Sequence, residues 1–314
     1  MKPAPFEYVA PRSLDEALDA LSHADEGTKV LAGGQSLIPL LNMRLASPKR
    51  LVDLGRVKQL TYIAERDGGY TIGAMTRQSA LERDDRVSRD VPLLAEAIRW
   101  VGHPQIRNRG TIGGSIAHGD PAAELPAVAV CLDARLTIKG PRGTRTLPAR
   151  DLYLGYLATT LAPDEILTDV WFPKATPGTG YAWLEFARRH GDYAIAGVGV
   201  AITLDADSRA STARDPGRIA EARIVVTGVD GVPVRASAAE SLLAGAPVTD
   251  RHQVQPAALS ASVDALRSAI DPATDVQATA EYRRHLAGVL LERALPVACQ
   301  RAHLTPSPSG RGLG

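Results

Sequence analysis

Two glycine pairs, each flanked by apolar residues and each ending in a hydroxyl, carry the chemistry most open to inference. They are Ala32-Gly33-Gly34-Gln35-Ser36-Leu37 and Thr111-Ile112-Gly113-Gly114-Ser115. A glycine pair in a tight turn exposes successive backbone N–H groups, because no Cβ stands between them and an incoming oxyanion. A helix that follows adds its N-terminal dipole. The pattern predicts a grip for phosphate, with an ordinary turn between apolar segments as the competing reading of either loop alone. On that reading a Cβ at Gly33 or Gly114 obstructs the anion and penalises a positive φ. A Rossmann unit requires G-x-G-x-x-G after its first strand, and a P-loop requires G-x-x-x-x-G-K-[ST]; neither is present. Gly197-Val198-Gly199 begins the first pattern, but Val200, Ala201 and Ile202 continue a strand. A diphosphate ligand would have to use the two separated loops.

The elements that must position these loops follow from periodicity and punctuation. Ser13 is expected to cap a helix carrying Leu14, Ala17, Leu18 and Leu21, with Glu16 at the capping-box position. Short strands are predicted over 29–32, 50–54 and 70–74, and Thr76 is a candidate cap for a helix through Leu81. After the first glycine pair, Ile38, Leu41 and Leu45 fall at helical spacing, with Ser36 as N-cap and Pro39 acceptable in the first turn. Pro92 opens a helix whose Leu94, Ala97, Ile98 and Val101 form one face, and another helix begins near Pro121. A hairpin is predicted over 135–147 around Gly140-Pro141-Arg142-Gly143, and a strand over 165–172 stops at Pro173. Thr176-Pro177-Gly178-Thr179-Gly180 has linker composition. Beyond it, strands over 194–204 and 219–229 flank a polar insertion at 205–218. Helices follow over 238–243, 256–270 and 276–301. Residues 303–314, rich in Pro, Ser and Gly, are expected to be disordered.

Composition narrows the function classes. Thirty-six basic residues balance thirty-five acidic ones and are interspersed with them, so no electrostatic footprint for nucleic acid or anionic lipid is implied. No apolar run reaches the roughly 18 residues of a membrane span, and no secretory h-region precedes Pro11. The expected location is the cytoplasm, including a peripheral association with the inner face of the membrane. Two cysteines, Cys131 and Cys299, cannot supply the four thiolates of an ordinary iron–sulfur cluster, and no CxxC or HExxH spacing occurs. Both read as core residues, so any cluster or metal chemistry must sit on another chain.

Three motifs in order now carry a family resemblance. They are Ala32-Gly33-Gly34-Gln35-Ser36-Leu37; Gly110-Thr111-Ile112-Gly113-Gly114-Ser115, continuing through His118-Gly119-Asp120-Pro121-Ala122-Ala123-Glu124-Leu125-Pro126-Ala127; and Arg188-Arg189-His190-Gly191-Asp192-Tyr193-Ala194. The chain resembles the FAD-binding medium subunit of molybdenum hydroxylases, the group that includes aerobic carbon monoxide dehydrogenase and the flavin domain of xanthine dehydrogenase. The resemblance covers the chain to about Ala302. It implies an α+β protein: a two-subdomain FAD-binding domain over 1–176 (about 1–55 and 56–176), then a C-terminal domain of antiparallel strands packed with helices over 177–302.

The resemblance also implies site residues. FAD is held by Ala32, Gly33, Gly34, Gln35, Ser36 and Leu37 together with Thr111, Ile112, Gly113, Gly114 and Ser115, its diphosphate between their amides. Glu124, with Asp120 as nearby competitor, matches an acidic residue suited to accept hydrogen bonds from a ribose or ribityl hydroxyl; the alternative is a helix N-terminal residue favoured by the dipole. Tyr193 matches an aromatic that lies against the flavin ring, and Ile166 and Leu167 match apolar positions that approach it. Gln35 stands where many relatives have His, which rules out a His-linked flavin at that position. His103 and His118 invite an acid–base role, but the redox chemistry belongs to the cofactor, and His118 reads better as a polar lining residue. Arg107, Asn108 and Arg109 either steer the diphosphate or lie on a solvated face, the reading preferred for Arg107. No catalytic residue and no metal ligand is assigned to this chain.

The implied function is a flavoprotein subunit that passes electrons from a partner's iron–sulfur clusters through FAD to an external acceptor. Substrate oxidation would lie on a molybdopterin-binding large subunit, the clusters on a small subunit, and the whole would form a dimer of heterotrimers. Two other classes compete: a stand-alone FAD-dependent oxidoreductase, as in cell-wall sugar reductases or alcohol oxidases, and a non-catalytic assembly subunit. The Ala- and Leu-rich C-terminal helices offer few acid–base groups for the former.

Overall fold

The computed structural model describes residues 2–22, 24–25, 27–205, 217–249 and 251–304. Most of the 205–218 insertion and residues 305–314 lie outside them. Among the described residues three larger sheets succeed one another along the chain, with a two-stranded pair of Tyr153–Gly155 and Ala158–Thr159 besides, and the mixed α+β architecture is the one expected.

The first sheet is small and parallel: Glu7–Val9 and Thr28–Leu31 flank Arg50–Asp53. Parallel neighbours need a crossover, and the first is the Leu14–Leu21 helix. Ser13 caps it, its hydroxyl accepting from the Glu16 amide at 3.1 Å. The Glu16 carboxylate reaches back to the Arg12 amide at 2.7 Å, one residue before the expected capping-box partner. Thr28–Leu31 delivers the chain into the first glycine loop, and the Leu37–Asn42 helix leads out of it. That helix is shorter than its apolar spacing predicts. Arg44 turns left-handed at φ 59° and Leu45 is 71% exposed, so Leu45 belongs to no buried face.

The second sheet is antiparallel throughout, in the order Ile63–Arg66, Gly69–Gly73, Ile166–Pro173, Arg135–Gly140, Gly143–Pro148. The helices Gln78–Glu82, Asp85–Asp90, Pro92–Ile98, Pro104–Arg107, Ile112–His118 and Glu124–Cys131 accompany it, and their apolar residues form the largest core, around Leu93, Leu94, Ile98, Ile112, Val128 and Phe172. Two expected boundaries move for local reasons. Thr76 does not cap a helix, because its hydroxyl exchanges hydrogen bonds with the Tyr62 backbone at 3.0 and 3.1 Å, and the helix starts at Gln78. The helix expected near Pro121 starts at Glu124, because the Asp120 carboxylate accepts from the Ala122 amide at 2.9 Å and holds a turn there.

The third sheet runs Thr179–Phe186, Ala196–Leu204, Gly217–Thr227, Val234–Arg235, again antiparallel. It is apolar on both faces. Tyr181, Trp183, Ala201 and Val225 join the core of the second sheet, while Ala182, Val198, Val200, Ile224 and Val226 pack with the helices Pro256–Ala269 and Ala280–Leu304. Gly199 lies beneath Trp183, where a Cβ would come within 3.0 Å of the indole, so Gly197-Val198-Gly199 makes room for a side chain. His303 and Leu304 continue the last helix and do not begin a tail. No helix among the described residues is long and apolar enough to cross a membrane.

The last helix lies flush on the third sheet at Gly180, where a Cβ would fall 2.9 Å from the carbonyl carbon of Ala298. Gly180→Ala is expected to lower the unfolding free energy by about 1–3 kcal/mol, an overpacking cost, read as a lower urea midpoint.

Candidate functional site

The two glycine loops touch. A Cβ on Gly33 would lie 2.8 Å from the Gly110 Cα and against the Arg109 carbonyl, and one on Gly114 would lie 3.1 Å from the Ala32 Cβ. Gly113 is pressed on Ala74, 2.7 Å from its Cα on the same construction. These glycines are therefore set by the approach of backbone to backbone. Neither Gly33 nor Gly114 has a positive φ, and what a Cβ would strike there is the rest of the protein, which corrects the expectation that it would block an anion. Gly34 alone in the two motifs is left-handed, at φ 75°.

The loops also differ in what their amides do. In the second, Thr111 is an N-cap whose hydroxyl accepts from the Gly114 amide at 3.1 Å. The Ile112, Gly113 and Ser115 amides donate to the carbonyls of Thr76, Ala74 and Thr111. Its N–H groups are spent inside the protein. In the first loop, no hydrogen bond among the described residues is donated by the amides of Gly33, Gly34, Gln35, Ser36 or Leu37. Ser36 precedes the Leu37–Asn42 helix with its backbone already helical and makes no side-chain cap, contrary to expectation. The Gln35 side-chain amide folds back onto the Gly33 carbonyl at 3.2 Å. Five successive free donors around a left-handed glycine form an anion-binding concavity.

A cleft of about 600 Å³ opens on this loop, lined by Leu31, Gly33, Gly34 and Gln35 and by Arg56, Arg77 and Arg109. Arg77 donates to the Arg109 carbonyl, which fixes one guanidinium beside the second loop. Burial and then the Arg109 charge lower its pKa, against the raising effect of Asp53, a carboxylate that lines the same cleft. Arg56 and Arg77 belong to no motif, and nothing in their sequence context marks them. Arg107 is neither solvated nor ligand-facing. It is 7% exposed, pairs with both Glu82 oxygens at 2.8 and 3.0 Å and donates to the Val101 and Gly102 carbonyls, holding the segment before the second loop in place.

Tyr193 lies on the far side of the first loop, half exposed and outside the residues that line the cleft. Its hydroxyl is 3.5 Å from Ser36 Oγ, which brings the third motif onto the first. The turn that presents it is pinned by Gly191, left-handed at φ 91° with a Cβ position 2.6 Å from the His103 ring, and by His190 stacked on Trp100 at 5.3 Å. His103 thus packs under a turn. Burial raises the Tyr193 phenol against the lowering effect of its Ser36 contact, and the charges of Asp120 and Glu124 add to the rise. Burial lowers the His118 imidazole, against the raising effect of Asp120. Glu124 is 5% exposed at the start of its helix. Leu167 and Ile166 are buried in separate cores beside a bulge in the Ile166–Pro173 strand, and neither is among the residues lining the cleft.

Cys131 and Cys299 are both fully buried free thiols, pushed up to about 12 by burial. No group of three or more metal-ligating side chains occurs among the described residues.

Comparison with known proteins places this geometry. Residues 4–175 match the model of the FAD binding domain in molybdopterin dehydrogenase, and residues 181–298 that of the CO dehydrogenase flavoprotein C-terminal domain. The chain is 40% identical to the 6-hydroxypseudooxynicotine dehydrogenase complex subunit alpha of Paenarthrobacter nicotinovorans, over 97% of this chain and 98% of that one. It is 36% identical to the carbon monoxide dehydrogenase medium chain of Hydrogenophaga pseudoflava, over 96% and 99%. Among solved structures, a chain of the reconstituted CO dehydrogenase from Oligotropha carboxidovorans superposes with a TM-score of 0.88 at 37% identity, over 96% of this chain and all of that one.

If the loops interlock as described, Gly33→Val destabilises the fold before any ligand is involved, by about 1–3 kcal/mol. Urea unfolding without added cofactor measures this, and an unchanged midpoint would show that the contact between the loops is not a constraint.

Proposed function

The chain belongs to the family of FAD-binding subunits of molybdopterin dehydrogenases, and from that premise we propose that it is the FAD-carrying subunit of a multi-subunit molybdenum hydroxylase. In this role it takes electrons from iron–sulfur clusters on a partner chain and delivers them to an external acceptor. The observation that carries the reading is the run of free amides from Gly33 to Leu37, whose first three residues line a cleft shared with three arginines and one carboxylate, Asp53. That donor set suits a diphosphate, which needs several N–H groups and positive charge together.

Ala32, Gly33, Gly34, Gln35, Ser36 and Leu37 hold the diphosphate by their backbone, with Arg56, Arg77 and Arg109 supplying charge. Thr111, Ile112, Gly113, Gly114 and Ser115 serve chiefly as the surface against which that loop is shaped. Glu124 and Asp120 meet sugar or ribityl hydroxyls, Tyr193 lies against the ring, and Leu167 supports it from the strand beneath. Bound FAD supplies reversible electron acceptance, and the chain's own part is to bind, orient and shield it. Gln35 carries no imidazole, so the cofactor is held without a covalent bond at that position.

Two buried cysteines cannot ligate a cluster, which supports placing the iron–sulfur centres on a small subunit and the molybdopterin on a large one. We assign the arrangement as a dimer of such heterotrimers, located in the cytoplasm or peripherally on the inner face of the membrane. The chain divides at about residue 176 into an FAD-binding domain and a C-terminal domain, the first with subdomains meeting near residue 55.

Copurification with a molybdopterin chain and a ferredoxin-like chain is expected, with flavin absorbance that bleaches with dithionite and not with NADH. A stable FAD-containing monomer that oxidises a substrate unaided would overturn the assignment. Arg77→Ala is expected to raise the FAD dissociation constant about tenfold, the equivalent of one charge-assisted hydrogen bond. Equilibrium titration of flavin fluorescence reads this directly.

A further inference from the structure

A row of three residues crosses the third sheet behind the candidate site. Glu185 pairs in register with Gly197, and Gly197 with Thr227. Gly197 leaves the middle of the row bare: a Cβ there would stand 3.7 Å from the Glu185 Cγ and 2.8 Å from the Thr227 methyl. Thr227 in turn fastens the segment that leads to Glu124, its hydroxyl donating to the carbonyls of Pro121 and Ala123, while the Gly228 amide donates to Pro121 at 2.8 Å. The start of the Glu124–Cys131 helix is thus held over the row that contains Glu185. The two carboxyls are 5% and 8% exposed. Glu185 Oε2 accepts from the Trp183 indole at 3.1 Å, and its Oε1 is buried with no hydrogen-bond partner. No arginine or lysine bonds to either carboxyl among the described residues; Arg283, the cation on the adjacent helix, spends its two terminal nitrogens on Asp275 and on the Ile195 and Gly228 carbonyls, and its Nε is buried without a partner.

We propose that Glu124 and Glu185 form a carboxyl–carboxylate pair that holds one proton at neutral pH, and that this proton keeps the pair compatible with a bound diphosphate cofactor. The second clause rests on the FAD reading above. Two dry carboxylates cannot both ionise without a counter-cation, and a second negative charge would also repel the dianionic diphosphate. When the pH rises, the proton leaves to water and the pair carries two charges.

Other groups agree in direction. Burial pushes Glu185 up to about 7 against the lowering effect of the indole, and burial followed by the Glu185 charge raises Glu124 well above the usual carboxylate range. Asp120, on the same segment, and Tyr193 are raised by burial and His118 is lowered by it, so each of these neighbours is pushed away from its charged form. Carboxyls raised on folding contribute stability that is full below their ordinary value of 4.5 and is lost as pH rises towards and through 7.

The test uses the full-length chain in two arms. Thermal unfolding without added FAD at pH 6 and pH 9 is expected to show a falling midpoint in wild type and a flattened fall in both Glu185→Gln and Glu124→Gln, since removing either member ends the sharing. A variant that keeps the wild-type slope overturns the pair; if Glu185→Gln does not fold, Glu124→Gln decides. In the second arm the FAD dissociation constant of wild type is expected to rise about tenfold between pH 6 and pH 8.5 and to change far less in Glu185→Gln. A flat wild-type profile overturns the link to the cofactor. Absence of FAD binding at every pH overturns the FAD reading instead, and the unfolding arm still judges the pair.

Discussion

The contact of Gly33 with the Arg109 carbonyl and the Gly110 Cα is the constraint on which the rest of the site depends. It joins a parallel three-stranded unit to the helices of an antiparallel one, with no side chain between the two backbones. Close approach of this kind fixes where the first loop ends relative to the second. Gly113 on Ala74 fixes the second loop relative to its own sheet. A phosphate site can be made from loops only if they are held to within a fraction of an ångström, and here steric exclusion does the holding.

Because the second loop is the anvil, its amides are satisfied internally and Thr111 caps its helix. The first loop is left with its donors free. Free N–H groups need water or a ligand to meet them, and this half-buried loop meets that need by opening on the cleft beside Arg56, Arg77 and Arg109. Tyr193 brings the third motif onto the first loop through Ser36, and its turn is held by packing on His103 and Trp100. The third sheet contributes from behind, where Thr227 bonds the Pro121 and Ala123 carbonyls and so fastens the segment ahead of Glu124.

Most of the elements were legible because their signals are local. Ser13 with its following helix, Pro92 at a helix start, and the Gly140-to-Gly143 turn with its hairpin all depend on neighbours a few residues away. The errors arose where a longer-range partner competed for the same atom. The Thr76 hydroxyl was available as a cap until Tyr62 took it, and Leu45 had the right spacing but no surface to pack on. Arg107 reads as a surface residue until Glu82 is placed beside it.

By itself the sequence determined the order of the motifs and the family they belong to. It also set the cysteine count that excludes a cluster on this chain, and the alternation that produces the sheets. These are properties of residue type and spacing. Only the tertiary structure decided which glycines are set by the approach of another backbone, which amides stay free, and that Arg56 and Arg77 line the cleft beside the first loop. The reason is physical: each of these depends on which distant segment occupies the space around a given atom, and a single chain read in order does not specify the occupant.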